Sequence, residues 1–170
     1  MSQPTTPSRV LFLDFDGVLH PDAVFMTRKG PKLRSDGALF MWADLLVEVL
    51  DDFPQVQVVL STSWARHLGF SRARSYLPAS LKARVIGATW HSSMGKGWFY
   101  QTWWDKASRH EQICRYVSRA HLVSWVSIDD DAEHWPVEAQ GNLVRCDGQL
   151  GLAQPGRLEE LRSRLLCPWL

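Results

Sequence analysis

Two aspartates, Asp14 and Asp16, stand two positions apart directly after a short apolar run, and Gly17 follows them. One carboxylate of such a pair can attack a phosphorus centre while the other handles the leaving-group proton, which divides one difficult displacement into two easier ones. A glycine at the next position lets the backbone turn sharply beside the acids. This segment therefore predicts a phosphohydrolase whose nucleophile is Asp14.

A second acidic pair and a hydroxyl follow two other apolar runs: Asp129 with Asp130, and Ser61. Carboxylates crowded together need a counter-charge, and hard oxygen ligands with spare positions suit Mg²⁺. The charge that develops on a transferring phosphoryl group also requires hydroxyl and cationic donors, and Ser61 offers the hydroxyl. We therefore expect Mg²⁺ to be the cofactor.

These residues need elements that bring them together, and the chain alternates apolar runs with helical patterns. Strands are predicted at 10–13, 56–60, 84–88, 122–128 and 143–146, and helices at 38–50, 64–76, 108–119 and 155–166; residues 89–107 are predicted to be a loop or an irregular insertion. This order is typical of a parallel sheet covered by helices on both faces. Ligands of such sheets bind outside the carboxyl ends of the strands, where all three polar groups are expected.

Composition narrows the class of protein. The 170 residues suit one domain, which we place at 10–170 after a loose polar tail at 1–9 without the apolar core of a signal peptide. A net charge of +1 gives no global attraction to nucleic acid, and no apolar run approaches the roughly 20 residues of a membrane span. Three scattered cysteines argue against a disulfide framework and favour a cytoplasmic location.

Three segments resemble motifs of the haloacid dehalogenase (HAD) superfamily, in the family's order. Residues 14–19 (DFDGVL) resemble its first motif, residues 58–61 (VVLS) its second and residues 126–130 (VSIDD) its fourth. The resemblance covers most of the chain. It implies a HAD-like Rossmannoid fold, a three-layer α/β/α sandwich around a mostly parallel sheet.

The resemblance also implies a role for each matching residue. Asp14 would form an aspartyl-phosphate, and Asp16 would protonate the leaving group and then activate water. The Asp14 side chain, the Asp16 backbone carbonyl and Asp129 would hold Mg²⁺, with Asp130 as a further ligand or the partner of one. Ser61 would bind the phosphoryl group. The presence of Asp16 favours a phosphatase over a dehalogenase, since the dehalogenases of this superfamily lack that acid.

The third motif of the superfamily is a lysine or arginine near the start of the helix before the fourth motif. Lys106 and Arg109 both stand there, and Lys96 is a more distant candidate. We favour Lys106, with Arg109 as the alternative. Arg109, Thr62 and Arg66 join Ser61 as candidate substrate contacts.

The gaps between the motifs leave room for a minimal cap or none. About 40 residues separate Asp16 from the second strand, and one predicted helix occupies part of them. An open site favours a large phosphorylated substrate, such as a nucleic-acid end or a phosphoprotein. The chain also resembles the small HAD domains grouped with Swiss-army-knife RNA repair proteins, through residues 61–64 (STSW) and 151–153 (GLA). This resemblance implies phosphate removal from polynucleotide ends.

Two segments bear on a nucleic-acid substrate without deciding it. Residues 27–34 (TRKGPKLR) hold four cations, which fit a solvated loop better than a phosphate contact. Five aromatic side chains lie at 98–104, where a core role is favoured over base stacking. His20, near the nucleophile, is expected to be structural.

Two other classes of protein compete with the phosphatase. A catalytically quiet HAD-like binding module would fit the unsettled third motif, although the intact acidic pairs speak against it. A response-regulator receiver also places aspartates at strand ends, but it lacks an acid equivalent to Asp16.

Overall fold

A computed structural model describes residues 9–167 of the chain. Its strands are β1 (Arg9–Leu13), β2 (Val24–Thr27), β3 (Gly30–Leu33), β4 (Val56–Leu60), β5 (Val85–Ala88), β6 (Trp125–Asp129) and β7 (Leu143–Arg145). Its helices are α1 (Ala43–Asp51), α2 (Ser63–Leu68), α3 (Phe70–Ser75), α4 (Ala79–Arg84), α5 (Trp98–Lys106), α6 (Arg109–Ala120) and α7 (Arg157–Leu166). Short 3₁₀ turns lie at Ser92–Lys96, Val137–Asn142 and Gly151–Ala153.

Five strands form a fully parallel sheet in the order β5-β4-β1-β6-β7. The central strands are continuous apolar runs because both of their faces are buried. One apolar cluster joins one face of the sheet to α1 and α7, and a second joins the other face to Ile113 of α6. The predicted three-layer α/β/α sandwich is therefore confirmed.

The register of the three central strands makes them end at the same level. Leu13 of β1 pairs with Leu60 of β4 on one side and with Ile128 of β6 on the other. The residues that follow these three are therefore level with one another: Asp14 after Leu13, Ser61 after Leu60, and Asp129 after Ile128. Two backbone hydrogen bonds hold this edge: Asp14 N–H donates to the Ile128 carbonyl at 3.2 Å, and Ser61 N–H donates to the Leu13 carbonyl at 2.8 Å.

Several predicted elements differ from the structure. The helix predicted at 64–76 is broken in two at Gly69, whose φ of +85° falls outside the helical range. The helix predicted at 38–50 begins only at Ala43, and Phe40 before it has a positive φ. Residues 89–107, predicted to be irregular, contain the regular helix α5.

The prediction that residues 27–34 form a loop is wrong, since β2 and β3 form an antiparallel hairpin there. The four cations of the hairpin are Arg28 and Lys29 at the turn, Lys32 on β3, and Arg34 directly after β3. The guanidinium of Arg34 lies 4.2 Å from the centre of the Phe25 ring. In the described chain, this hairpin and α1 are the only regular elements between Asp16 and β4. This agrees with the prediction of a minimal cap.

Two further predictions concern the chain ends and membranes. Residues 1–8 of the predicted tail lie outside the described residues, while Arg9 already belongs to β1. Within the described part of the chain, no helix has the length and apolar character needed to cross a membrane.

Candidate active site

Three carboxylates meet at the edge where β1 and β6 end. Oxygens of Asp14, Asp129 and Asp130 all lie within 4.8 Å of one another. Asp14 and Asp129 are buried, and Asp130 is half-buried. The structure therefore brings together the acids that sequence reasoning selected on two separate strands.

Gly17 makes room for this cluster. Its φ is +71°, and a Cβ atom at this position would overlap the carboxylate of Asp130. Only glycine adopts this conformation without strain and also leaves space for the acid. The predicted need for glycine after the first acidic pair is thus explained by a close approach as well as by the turn.

Burial raises the pKa of all three carboxyl groups. It raises the pKa of Asp14 to about 6, against the opposing effect of Arg109. It raises the pKa of Asp130 to about 7, with the charge of Asp14 adding to the effect. Burial and the charge of Asp14 also hold the pKa of Asp129 well above its ordinary value. In the absence of a metal ion, the cluster therefore holds protons that free aspartates would have released.

Arg109 is the cation that faces the cluster. Its Nε lies 3.0 Å from Asp129 Oδ2 and its Nη2 lies 3.7 Å from Asp14 Oδ1. The Nε–H is poorly aligned with Asp129 Oδ2, so the contact is an ion pair and neither atom has a hydrogen-bond partner. The surrounding carboxylates raise the pKa of Arg109 against the effect of burial, so the guanidinium stays charged.

A capping box explains why Arg109 stands at this place. Ser108 Oγ accepts the Glu111 N–H at 3.2 Å, and Glu111 accepts the Ser108 N–H at 2.7 Å, as the spacing predicts. Arg109 is therefore the first residue of α6, beside the carboxylates. Lys106 is the exposed last residue of α5, and no ion pair joins it to the cluster. The geometry favours Arg109 over the preferred candidate Lys106 as the third-motif cation.

The donor set fits a hard divalent cation. Within residues 9–167, the ion pairs of the three carboxylates involve a single arginine, and Asp129 Oδ2 is a buried oxygen without a hydrogen bond. Carboxylate oxygens in this number, with room for water and phosphate, are what Mg²⁺ uses in phosphoryl-transfer sites. Both side-chain oxygens of Asp16 are bonded to His20 and Trp64, so the predicted contribution of Asp16 to the ion remains that of its backbone carbonyl.

The raised pKa values of the cluster predict a pH-dependent effect of Mg²⁺ on stability. In chelator, the folded protein binds more protons than the unfolded chain from about pH 4 to pH 7, so its stability falls as pH rises through this window. Mg²⁺ binds the deprotonated carboxylates, so its stabilising effect grows with pH. At about 100 times its Kd it adds about 2.7 kcal/mol, or roughly 5–10 °C in Tm.

Thermal denaturation at pH 5 and pH 8, with Mg²⁺ or with chelator, measures this effect. We expect Mg²⁺ to raise the Tm clearly at pH 8 and only slightly at pH 5. In the Asp129→Asn variant, the increase at pH 8 is expected to disappear. Asp51→Asn, at an exposed position at the end of α1, is the matched control. An increase of equal size at both pH values would contradict the assignment of the ion to these carboxylates.

Both oxygens of Asp16 are held by other side chains. His20 Nε2 lies 2.9 Å from Asp16 Oδ1, and the Trp64 indole N–H donates to Asp16 Oδ2 at 2.9 Å. The Phe40 backbone N–H donates to His20 Nδ1 at 3.1 Å, which leaves the proton of a neutral imidazole on Nε2, facing Asp16. His20 is thus structural, as expected, but it acts on an acid of the site.

This clamp on Asp16 consists of His20 and Trp64, and an aromatic cluster surrounds it. Both clamp side chains are fully buried, and rings of Phe15, Phe40 and Tyr76 pack edge-on against Trp64 at centroid distances of 5.2–5.5 Å. Sequence reasoning noted Trp64 without giving it a role. The sequence feature that could have pointed to Trp64 is its place in α2, the helix that begins just after β4 ends at the edge with the acids.

The second-motif residues divide into two roles. Ser61 is fully buried, and its Oγ has no hydrogen-bond partner in the protein, as expected of a group kept for a ligand. Thr62 Oγ1 accepts the Trp64 N–H at 3.3 Å and caps α2. Arg66 pairs with Asp105 at 2.8 Å and lies over the Trp90 ring. Among the described residues, no hydrogen bond or ion pair joins the side chain of Thr62 or Arg66 to the carboxylate cluster.

A cavity of about 610 Å³ adjoins the cluster on the side of Arg109. Its walls come from α2, from the C-terminal end of α5 and from the segment after β6, through Ser63, Arg66, Trp104, Lys106, Arg109 and Asp131. Its lining carries three cations, Arg66, Lys106 and Arg109, and three acids, Asp105, Asp131 and Glu133, of which Asp105 pairs with Arg66. The cavity is larger than phosphate itself, and Arg109 is the cation that it shares with the carboxylate cluster.

The sheet with acids after β1 and β6, a serine after β4 and a cation at the start of α6 is the arrangement of the HAD superfamily. The chain matches the family described as the HAD domain in Swiss Army Knife RNA repair proteins over residues 10–156, and it belongs to that family. Comparisons with curated proteins and with solved structures gave no significant match.

Proposed function

We propose that this protein is a Mg²⁺-dependent phosphomonoesterase that removes phosphate from nucleic-acid ends through an aspartyl-phosphate on Asp14. The observation that carries the proposal is the convergence of Asp14, Asp129 and Asp130 on one point beside Arg109, with Asp16 held two residues beyond the nucleophile. A structural role alone does not account for three carboxylates gathered at a buried edge with a single counter-charge.

The residues divide the reaction into two displacements. Asp14 attacks the phosphorus atom, the bond to the ester oxygen breaks, and Asp16 gives that oxygen its proton. Asp16 then takes a proton from water as the water oxygen attacks the same phosphorus, which releases inorganic phosphate and restores the Asp14 carboxylate. Each Asp16 oxygen already accepts one hydrogen bond and keeps a second lone pair for this proton.

Hydrogen-bond donors that the fold holds in place would stabilise the negative charge on the transferring phosphoryl group. Arg109 provides guanidinium N–H groups, and Ser61 provides a buried hydroxyl without another partner. Mg²⁺, held by Asp14, Asp129 and Asp130 with the Asp16 carbonyl, would neutralise phosphate oxygens and relieve the repulsion among the acids. Burial makes each of these interactions stronger than it would be in water.

The family and the shape of the site support a polynucleotide end as the substrate. The description of the family names RNA repair proteins. The cavity beside Arg109 opens between α2 and α5, and the chain between Asp16 and β4 adds only a hairpin and a helix. A site of this kind admits a phosphate at the end of a long polyanion.

A panel of substrates tests the proposal. Phosphate release is measured with 3′- and 5′-phosphorylated oligonucleotides, mononucleotides, phosphopeptides and sugar phosphates, each with Mg²⁺ and with chelator. We expect hydrolysis only with Mg²⁺, and the highest kcat/KM on an oligonucleotide end. A clear preference for sugar phosphates would contradict the open-site argument, and a preference for phosphopeptides would assign the site to phosphoproteins.

A further inference from the structure

The first turn of α5 exposes three aromatic side chains in succession. Trp98 is 82% exposed, Phe99 72% and Tyr100 45%. The other end of the helix is anchored, since Trp104 is buried and its ring lies 5.3 Å from that of Trp90. Large aromatic groups that are held outward by an anchored helix are the kind of exposed apolar surface that marks a binding site.

Cations accompany these rings. The Arg115 guanidinium from α6 lies 5.0 Å from the centre of the Tyr100 ring and 4.8 Å from that of Trp103. Residues 91–120 carry five lysines and arginines against two acids, in a chain whose net charge is only +1. Exposed rings beside a cation suit unpaired nucleotides, whose bases stack and whose phosphates are negative, better than an apolar protein surface.

The same helix connects these rings to the active site. At its C-terminal end, Trp104, Asp105 and Lys106 line the cavity that also contains Arg109. The nine residues of α5 span about 13 Å at 1.5 Å per residue. A strand whose terminal phosphate lies beside Arg109 can therefore follow α5 to its exposed rings within a few nucleotides.

We propose that Trp98, Phe99 and Tyr100 form an aromatic platform that stacks unpaired bases of single-stranded nucleic acid a few nucleotides from the phosphate to be removed. The platform extends the proposed function, since it names the part of the substrate that is bound outside the catalytic residues. Affinity comes from stacking and from the nearby cations, so it does not depend on base sequence.

Two measurements test the platform. Fluorescence anisotropy with a labelled 12-nucleotide strand that has no terminal phosphate reports binding apart from catalysis. Trp98→Ala/Phe99→Ala is expected to raise Kd at least tenfold, since each stacked base contributes about that factor or more. The same variant is expected to lower kcat/KM at least tenfold on a phosphorylated 12-mer and to leave p-nitrophenyl phosphate hydrolysis unchanged.

The controls keep the rings or remove an unrelated apolar group. Trp98→Phe/Phe99→Tyr retains the aromatic faces and is expected to stay within threefold of wild type. Val137→Ala shortens a side chain that is 82% exposed in the 3₁₀ turn Val137–Asn142 and is expected to have no effect. An unchanged Kd in the alanine double variant would overturn the platform.

The outcomes also separate the platform from the proposed function. Strand binding that depends on Trp98 and Phe99, in a protein that hydrolyses no phosphomonoester, would support the platform and reject the phosphatase. Hydrolysis of oligonucleotide ends that is indifferent to both rings would support the phosphatase and reject the platform.

Discussion

The Asp14→Asn variant is expected to lose at least about 10⁴-fold in kcat on every phosphomonoester, because an amide cannot form the aspartyl-phosphate. The change keeps the shape of the side chain at a buried position between Arg109 and Asp129. It also removes one of the charges that repel one another in the cluster. We therefore expect its Tm in chelator at pH 8 to be no lower than that of the wild type.

Steady-state phosphate release in Mg²⁺, with Asp44→Asn as the matched control, measures this loss. Asp44 is an exposed residue in the first turn of α1, and its substitution is expected to leave kcat within twofold. Activity that persists in a correctly folded Asp14→Asn protein would show that another group attacks phosphorus. A wild-type protein without Mg²⁺-dependent hydrolysis would instead favour the catalytically quiet binding module.

The Arg109→Gln variant is expected to lower kcat by roughly 10²–10³-fold, whereas Lys106→Gln is expected to stay within about threefold. Arg109 is the cation placed 3.0 Å from Asp129 and 3.7 Å from Asp14, while Lys106 is exposed at the rim of the cavity. Removal of a donor that is already aimed at developing charge costs this much in comparable sites. Phosphate release from p-nitrophenyl phosphate in Mg²⁺ measures both variants.

Arg109→Lys separates charge from geometry. Lysine keeps the positive charge but lacks the planar fork of donors, so we expect only a partial recovery of kcat. Circular dichroism and Tm confirm that each variant is folded before rates are compared. If Lys106→Gln caused the large loss and Arg109→Gln the small one, the cation of the third motif would be Lys106.

The catalytic edge could be predicted because its signals are local. Apolar runs mark β1, β4 and β6, and parallel strands that end in polar residues place those residues at one edge whatever the loops between them do. Asp14, Ser61 and Asp129 are therefore level in the structure, as the sequence implied. The start of α6 was also predictable, since the capping box puts Lys106 before this helix and Arg109 at its first position.

Other features depend on tertiary packing and had no clear local pattern. Aromatic and polar residues are spread around α5, so its sequence has no single apolar stripe from which a helix could be predicted. In the β2–β3 hairpin, β2 is largely exposed and β3 is mostly half-buried, so neither strand is a continuous buried run. The turn has Arg28 and Lys29 where asparagine and glycine would be typical. The bond from Trp64 to Asp16 joins segments 48 residues apart, which spacing alone does not reveal. His20 lies only four residues after Asp16, but its bond to Asp16 depends on the turn that the chain makes between them.

The clamp has a consequence for the timing of catalysis. Some enzymes carry their proton donor on a moving lid and wait for it to close at every turnover. Here His20 and Trp64 belong to the buried interior, so the packing of the fold itself fixes the orientation of Asp16. Under the proposed function, a long strand would be processed at its tip without being enclosed.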